Sequence, residues 1–271
     1  MMVLLEMLSY PFLVRALLVG VLVSLCAALL GVPLVLKRYS MIGDGLSHVG
    51  FAALAIAAVL NVTPLALAVP VVAAAAVLLL RISQNGKIKG DAAIALIASG
   101  SLAIGVMAVS LASGVNINIS NYMFGSILSL SRSDAVMSVV LSVVVLFVFV
   151  ALYPRIFAVT FDENFAGATG TRAGAYNLLL ALLTAVTVVL GMRMMGTLLI
   201  SSLVIFPALT AMRVCRSFRS VTICAAAVSV ICFVLGMVLS YVWETPSGAS
   251  VVVVNMAAFL LFACVGKVKK S

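Results

Sequence analysis

Apolar residues form long continuous runs in this chain, and polar residues are gathered in the short stretches between the runs. The runs are about 20 residues long, which is the length that an α-helix needs to cross the hydrocarbon of a bilayer. Because they are continuous and do not alternate, they exclude a transmembrane β-barrel. We predict an all-α, polytopic membrane bundle with nine spans: 12–36, 43–60, 64–81, 91–113, 133–153, 173–192, 194–213, 218–240 and 248–266.

The seventh predicted span is the least distinct of the nine. Pro207 interrupts it, and almost no loop separates it from the sixth span, so eight spans remain an alternative. The apolar pattern continues through the whole chain, and no stretch has the composition of a soluble domain. The chain is therefore predicted to be a single transmembrane domain, residues 1–271.

Composition agrees with this class. The chain is 65% hydrophobic and 8% charged, with a mean hydropathy of +1.36. A soluble domain carries about 25% charged residues, so this chain cannot cover itself with a polar surface and must lie in lipid. The formal net charge of +9 belongs to the loops, where it sets topology, and does not indicate a nucleic-acid partner.

The distribution of Lys and Arg predicts how the chain is oriented. Cytoplasmic loops of membrane proteins carry an excess of positive residues. With the N-terminus outside and the C-terminus in the cytoplasm, only Arg15, Arg132 and Arg193 of the 16 cationic residues fall at the outer ends of spans.

Two connections are long enough to be more than turns. The outer one, 114–132, has an apolar second half and is either a short helix against the outer mouth or a plain lid. In the inner one, 153–172, Pro154 ends the preceding helix. Residues 161–168 then have the pattern of a short helix that Gly170 can terminate.

The short inner helix has the features of a surface element. Asp162 and Glu163 suit its positive N-terminal end, and Phe161 and Phe165 are predicted to share a face. A helix of this length is not stable alone in water, so it must rest on something. The residues leave two alternatives open, the bilayer surface and a cytoplasmic partner protein.

Asp44 and His48 are the most informative polar residues. His48 is the only histidine of the chain. On a helix, a spacing of four places both side chains on one face with their Cβ atoms about 5–6 Å apart. An ionisable group at membrane depth costs about 2.5–3.5 kcal/mol, so such groups are usually functional. Gly43 and Gly45 favour a non-helical entry, so we predict that a broken helix leads to the pair.

Carboxylate and imidazole are ligands that suit divalent zinc, manganese or iron. His48 could instead be a structural histidine bonded to a backbone carbonyl, and Asp44 a protonated packing group or a partner that orients the imidazole. The pair alone therefore predicts an ion or proton pathway rather than a named ion. Four residues of the seventh predicted span are candidates for lining that pathway: Ser201, Ser202, Pro207 and Thr210.

Other chemistry is poorly represented in the sequence. No Gly-x-x-x-x-Gly-Lys-Ser/Thr phosphate loop occurs, so any nucleotide energy must come from another chain. A single histidine leaves little room for a catalytic triad, and we predict a transport subunit rather than an enzyme. The methionines at 192, 194 and 195 and the five cysteines, none in a CxxC motif, are predicted to be packing residues.

Five segments, in this order, resemble the integral membrane subunit of ABC-type divalent metal-ion uptake systems, the zinc/manganese/iron permease family. They are PFLVRALLVG from 11, KRYSMIGDGLSH from 37, FDENFAGATG from 161, GTLLISSLVIFPALTA from 196 and TPSGASVVVV from 245. The resemblance implies a permease homodimer in a prokaryotic inner membrane, with two cytoplasmic ATPase subunits and an extracytoplasmic metal-binding protein. It implies no permanently bound cofactor.

The resemblance also implies roles for particular residues. Asp44 and His48 fall on the family's Asp and His positions and are implied to contact the passing ion. The segment 161–170 falls on the helix that docks on the ATPase, which favours the partner alternative over the bilayer surface. The implied docking residues are Phe161, Asp162, Glu163, Phe165, Ala168 and Gly170. Residues 174–177 depart from the family pattern, so Asn177 has no assigned role.

Four functional hypotheses remain after this resemblance, of which the fourth, a structural membrane scaffold, would not explain ion-binding residues within the membrane. An ATP-driven importer of divalent metal comes first, with zinc preferred because it suits a carboxylate and an imidazole. Ligand chemistry does not exclude manganese or ferrous iron. The second is a secondary transporter driven by an ion gradient, in which Asp44 and His48 relay protons. The third is a permease for iron chelates, which needs no coordinating pair.

Overall fold

The computed structural model describes residues 9–84, 90–111 and 132–268. Within these ranges the regular structure is entirely helical, as predicted. The helices are α1 (Pro11–Leu36), α2 (Ile42–Val59), α3 (Pro64–Gln84), α4 (Gly90–Leu111), α5 (Arg132–Ala151), α6 (Tyr153–Phe161), α7 (Glu163–Ala168), α8 (Ala173–Val214), α9 (Phe218–Trp243) and α10 (Ser247–Val268).

Nine helical segments in the described ranges are long and apolar enough to cross a membrane, so the predicted number of spans is confirmed. Two of them, α8a (Ala173–Arg193) and α8b (Met195–Val214), are the halves of α8. The predicted outer connection, 114–132, lies outside the described residues except for Arg132.

A backbone break at Gly196 divides α8. Its φ of 83° and ψ of 166° lie in a region that residues with a Cβ atom rarely adopt. A Cβ atom on Gly191 would lie 2.4 Å from Cδ1 of Ile200, so residues on opposite sides of the break are in contact. The chain therefore folds back on itself at this point.

Contacts with α1 show the direction of each half of α8. The contacting pairs are Asn177 with Lys37, Gly191 with Val23, Met195 with Gly20, and Val204 with Gly31. Along α8a the residue number of the α1 partner falls, and along α8b it rises. The two halves are therefore antiparallel arms of a hairpin, and α8a runs antiparallel to α1. This hairpin explains why almost no loop is visible in the sequence between the sixth and seventh spans.

The core of the bundle lies around this hairpin. Both arms, together with α1 and α2, are largely buried, whereas α4 and α10 are mostly exposed. The exposed faces carry large apolar side chains, as expected for helices that contact lipid. Small residues bring the central helices into backbone contact, because a Cβ atom on Gly31 would lie 2.0 Å from the carbonyl oxygen of Val204.

The predicted broken helix before Asp44 is wrong. Gly43 and Gly45 are both helical, and α2 is continuous from Ile42. Gly45 serves packing instead, since a Cβ atom there would lie 2.7 Å from Cγ2 of Ile94 on α4, whereas one on Gly43 would be in ordinary contact with the Val204 side chain at 3.6 Å. The irregular backbone lies earlier, where Arg38 has a φ of 61°.

The connection between α5 and α8 contains one helix more than the sequence predicted. The fifth span ends at Ala151, as expected from Pro154, but the proline begins the new helix α6 at its first turn. Asp162 then caps α7, since its Oδ1 accepts hydrogen bonds of 2.9 Å from the backbone N–H groups of Asn164 and Phe165. Gly170, with a φ of 83°, follows the end of α7 as predicted.

Phe161 and Phe165 do not share a helix face, so that prediction is wrong. Phe161 is the last residue of α6, and its ring packs 5.9 Å from the ring of Phe218 at the start of α9. Phe165 belongs to α7 and is 64% exposed. The two rings are separated because Asp162 has an extended backbone, with a φ of −149° and a ψ of 101°.

Candidate metal pathway site

The Asp44–His48 pair lies on one face of α2. Asp44 is in the first turn of the helix, where a negative side chain is favourable, and His48 follows one turn later. Their side chains approach to 3.9 Å between His48 Nε2 and Asp44 Oδ2. Two ligands that are each about 2.0–2.2 Å from one ion lie about 3–4 Å apart. The two groups can therefore bind the same divalent cation.

Both side chains of the pair are accessible from outside the chain. Asp44 is 39% exposed and His48 is 24% exposed, whereas the side chains between them, Leu46 and Ser47, are fully buried. Among the described residues the imidazole of His48 has no hydrogen-bond partner, so it is not bonded to a backbone carbonyl there. The ring is free to bind a ligand from the open side of α2.

Ser201 is the residue of α8b that reaches the pair. Its hydroxyl oxygen lies 3.1 Å from Asp44 Oδ1 and 3.1 Å from the carbonyl oxygen of Thr197, so it can donate to either acceptor. When it donates to Asp44, the hydroxyl fixes one carboxylate oxygen and leaves the other directed toward His48. The hairpin arm and α2 thus meet at the polar pair.

The other three predicted lining residues are placed differently. The hydroxyl of Ser202 donates to the carbonyl oxygen of Leu199 at 2.8 Å and is buried. Pro207 and Thr210 are buried and lie six and nine residues beyond Ser201, about 9 and 14 Å further along α8b. The structure therefore brings only Ser201 into contact with Asp44.

The described residues contain no group of three or more His, Cys, Asp or Glu side chains that could hold a metal ion. In this part of the chain Asp44 and His48 are thus a group of two candidate ligands, without a third such side chain to close a cage. Met192 and Met195 are buried in the core near Gly50 and Gly20, so their predicted packing role agrees with the structure.

A second polar cluster lies where α1 ends and α7 begins, which we call the Lys37 end of the bundle. The ammonium of Lys37 lies 2.6 Å from Glu163 Oε1 and also donates to Asn177 Oδ1. The Asn177 amide donates to the same Glu163 oxygen at 3.1 Å. The Lys37 hydrogen bond lowers the pKa of the Glu163 carboxyl, partial burial opposes this, and Asn177 assists it.

Asn177 is a residue that sequence reasoning left without a role. Its partners are 140 and 14 residues away, so no local pattern could have indicated the contact. A second missed pair is Arg193 with Asp134, which joins the turn of the α8 hairpin to the start of α5 at 2.8 Å. The available signal for it was two opposite charges at the ends of strongly apolar spans.

The predicted docking segment is exposed almost throughout. Every residue of 161–170 except Ala166 is exposed. The segment therefore projects from the Lys37 end and leaves Phe161, Phe165, Ala168 and Gly170 accessible to another protein.

A bundle of nine apolar spans in the described residues, with an accessible Asp–His pair on a central helix, defines a polytopic helical membrane protein. Residues 9–266 match the model of the ABC 3 transport family. The chain belongs to this family, and the resemblance carried by its five segments is confirmed. It is a membrane transport subunit and not an enzyme, as predicted.

Individual relatives agree over almost the full length. The chain is 30% identical over 252 residues to the high-affinity zinc uptake system membrane protein ZnuB of Haemophilus influenzae, covering 93% of this chain and 97% of that protein. It is 27% identical over 256 residues to the manganese transport system membrane protein MntC of Halalkalibacterium halodurans, covering 94% and 88%. The solved structure of PsaBC from Streptococcus pneumoniae in complex with Fab superimposes with a TM-score of 0.84 at 26% identity, covering 96% of this chain and 95% of that chain.

Proposed function

We propose that this chain is the permease subunit of an ATP-driven importer that carries divalent metal ions across a prokaryotic cytoplasmic membrane, with zinc as the preferred substrate. The observation that carries the proposal is the open Asp44–His48 pair, 3.9 Å apart on α2 in a chain with no other histidine. Its donor set suits a borderline divalent cation. Relatives named for zinc uptake and for manganese transport support the metal class.

The preference for zinc rests on ligand chemistry. Imidazole nitrogen and carboxylate oxygen are both regular zinc ligands. Manganese and ferrous iron accept the same donors, and intrinsic affinities favour zinc over both. Because all three ions accept these donors, manganese and iron remain alternatives, and measuring the transport of each ion separates them.

The pathway is proposed to be completed by a second copy of the chain. Two ligands from one protomer leave a metal ion partly open, and a homodimer would supply four around its axis. A transport site must bind strongly enough to admit the ion and weakly enough to release it, and an open set of ligands fits that requirement better than a closed cage. His48 must be neutral and Asp44 ionised for both to coordinate the ion.

The orientation follows from the positions of the charges. We place the Lys37 end in the cytoplasm, in agreement with the positive-inside rule. The exposed segment 161–170 then docks on the ATPase subunits, and an extracytoplasmic binding protein delivers the ion at the opposite end. ATP hydrolysis takes place in the partner subunits, since this chain lacks a phosphate loop.

The test is uptake by the purified permease, its ATPase and its binding protein in proteoliposomes. We expect uptake of radioactive zinc that requires ATP in the compartment containing the ATPase and that continues when proton and sodium gradients are collapsed. Manganese and ferrous iron, tested in parallel, rank the substrates. Uptake by the permease alone, driven by an ion gradient without ATPase, would instead establish the secondary-transporter hypothesis.

A further inference from the structure

Lys37 occupies an unusual position for a lysine. Its side chain is only 7% exposed, although it is the residue that caps the C-terminus of α1. A buried ammonium is costly unless it is paired and hydrogen-bonded. The negative end of α1 favours a cation at this position, and Glu163 and Asn177 supply the remaining partners.

The three side chains form a closed set of contacts between three helices. Lys37 donates to Glu163 and Asn177, and Asn177 donates to Glu163. Lys37 belongs to the end of α1, Glu163 is the first residue of α7, and Asn177 lies in the first turns of α8a. A movement of α7 therefore acts directly on the end of α1 as well as on the helix that follows it in the chain.

Few other contacts hold α7 to the bundle. Ala166 is the one buried residue of this six-residue helix. The helix is also joined to α8a through the backbone, where the N–H of Thr171 donates to the carbonyl oxygen of Ala166 at 2.8 Å. Glu163 is thus the side chain of α7 that is hydrogen-bonded to the end of α1.

A short and tightly bonded turn joins Lys37 to Asp44. The backbone N–H of Tyr39 donates to the carbonyl oxygen of Leu34 at 2.8 Å, and the N–H of Ile42 donates to the carbonyl oxygen of Tyr39 at 3.0 Å. Asp44 lies seven residues after Lys37 in the chain, in the first turn of α2. A displacement of Lys37 is therefore carried into the beginning of the helix that holds the metal pair.

We propose that Lys37 is a positioning residue that couples the ATPase-docking helix α7 to the metal pair on α2, through its contacts with Glu163 and Asn177. The inference rests on the proposed function, because it assumes that α7 docks on the ATPase. When the ATPase moves α7, the ion pair moves the end of α1 and with it the start of α2. Asp44 then changes position relative to Ser201 on α8b, which alters access to the ion.

The experiment compares Lys37→Met with the wild type in the complete complex in proteoliposomes. ATP hydrolysis and zinc uptake are measured on the same samples, which gives the number of zinc ions moved per ATP. We expect Lys37→Met to co-purify with the ATPase but to move about fivefold fewer ions per ATP, since coupling between sites typically spans 5- to 150-fold. Lys37→Arg keeps the positive charge and the donors and is expected to restore most of the ratio.

Arg81→Met is the matched control, because it removes an exposed cation from the end of α3. It is expected to leave the ratio of ions to ATP unchanged. A Lys37→Met complex with the wild-type ratio would overturn the proposal, and so would one that loses its ATPase, since Lys37 would then only hold α7 in place. A wild-type complex that hydrolyses ATP without moving metal would contradict the proposed function instead.

Discussion

Replacing Gly31 by alanine tests the contact that sets the distance between α1 and α8b. The added Cβ atom would lie 2.0 Å from the carbonyl oxygen of Val204 and 2.9 Å from its carbonyl carbon. A carbon and an oxygen that are not bonded approach to about 3.3 Å at the closest. The two helices would therefore have to separate by roughly 1.3 Å, and neither atom of the Val204 backbone can rotate away.

The energetic cost of that separation follows from core packing. Forcing extra atoms into a well-packed core costs about 1–3 kcal/mol. For a domain of this size, each kcal/mol lowers the melting temperature by about 2–4 °C. We expect Gly31→Ala to melt several degrees below the wild type in detergent. The displacement of α8b also carries Ser201 away from Asp44, so zinc uptake is expected to fall in the protein that remains folded.

Gly100→Ala is the control for this measurement. Gly100 lies within α4, and a Cβ atom there would meet nothing within 4 Å. Alanine is favoured over glycine in a helix by about 0.8–1.0 kcal/mol, so this variant should be at least as stable as the wild type. If Gly31→Ala melts at the same temperature as Gly100→Ala, the close approach of α1 and α8b is not present in the folded protein and the reasoning fails.

Three further predictions concern the hairpin, the docking helix and the polar pair. Gly196→Ala forces a Cβ atom into a glycine-only backbone region and should cost about 1–3 kcal/mol, seen as a lower melting temperature. An unchanged melting temperature would show that the hairpin does not turn at this residue. The lowered pKa of Glu163 makes its contribution to stability present above the ordinary carboxyl pKa and lost as pH falls through the lowered value. The difference in melting temperature between the wild type and Glu163→Gln should therefore shrink on acidification below about pH 4, and a constant difference would contradict the ion pair. Ser201→Ala removes one donor to Asp44, so the zinc concentration for half-maximal uptake should rise by about tenfold or less, and a complete loss of uptake would show that Ser201 does more than orient the carboxylate.

Long apolar runs were sufficient to predict nine spans and the class of protein. The reversal between the sixth and seventh spans was predicted at the right place, between 192 and 194, but not the tight turn at Gly196, because the apolar pattern continues across this residue and no polar loop marks it. The direction of each half is visible through contacts with α1, which join residues at least 140 positions apart in the chain. Hydrophobic periodicity records which residues are buried, but it does not record which helix buries them.

One proline and two glycines were recognised in the sequence as special positions, but the backbone geometry predicted around them differs from the structure. Pro154 ends the fifth span, but a proline also suits the first turn of a helix, and here it begins α6. Gly43 and Gly45 were predicted to loosen the backbone before the metal pair, whereas both are helical and Gly45 allows α2 to pack closely on α4. A sequence alone does not distinguish a glycine needed for conformation from one needed for close approach.

The candidate site was partly predictable for a related reason. Asp44 and His48 share one helix, so their spacing was enough to place them together. Ser201 is 157 residues from Asp44, and the partners of Lys37 are 126 and 140 residues away. Local sequence patterns can single out such polar residues in an apolar chain, but the residues that they contact depend on how the helices are packed.

The most direct test of the central claim is zinc uptake by the complete complex carrying Asp44→Asn, His48→Ala or both. Asp91→Asn serves as the control, because Asp91 is likewise an acidic residue in the first turn of a span but is exposed on α4. We expect each substitution at the pair to abolish ATP-dependent uptake while the complex still assembles, and Asp91→Asn to transport normally. Wild-type accumulation of zinc by the double variant would contradict the assignment of Asp44 and His48 to the path of the ion.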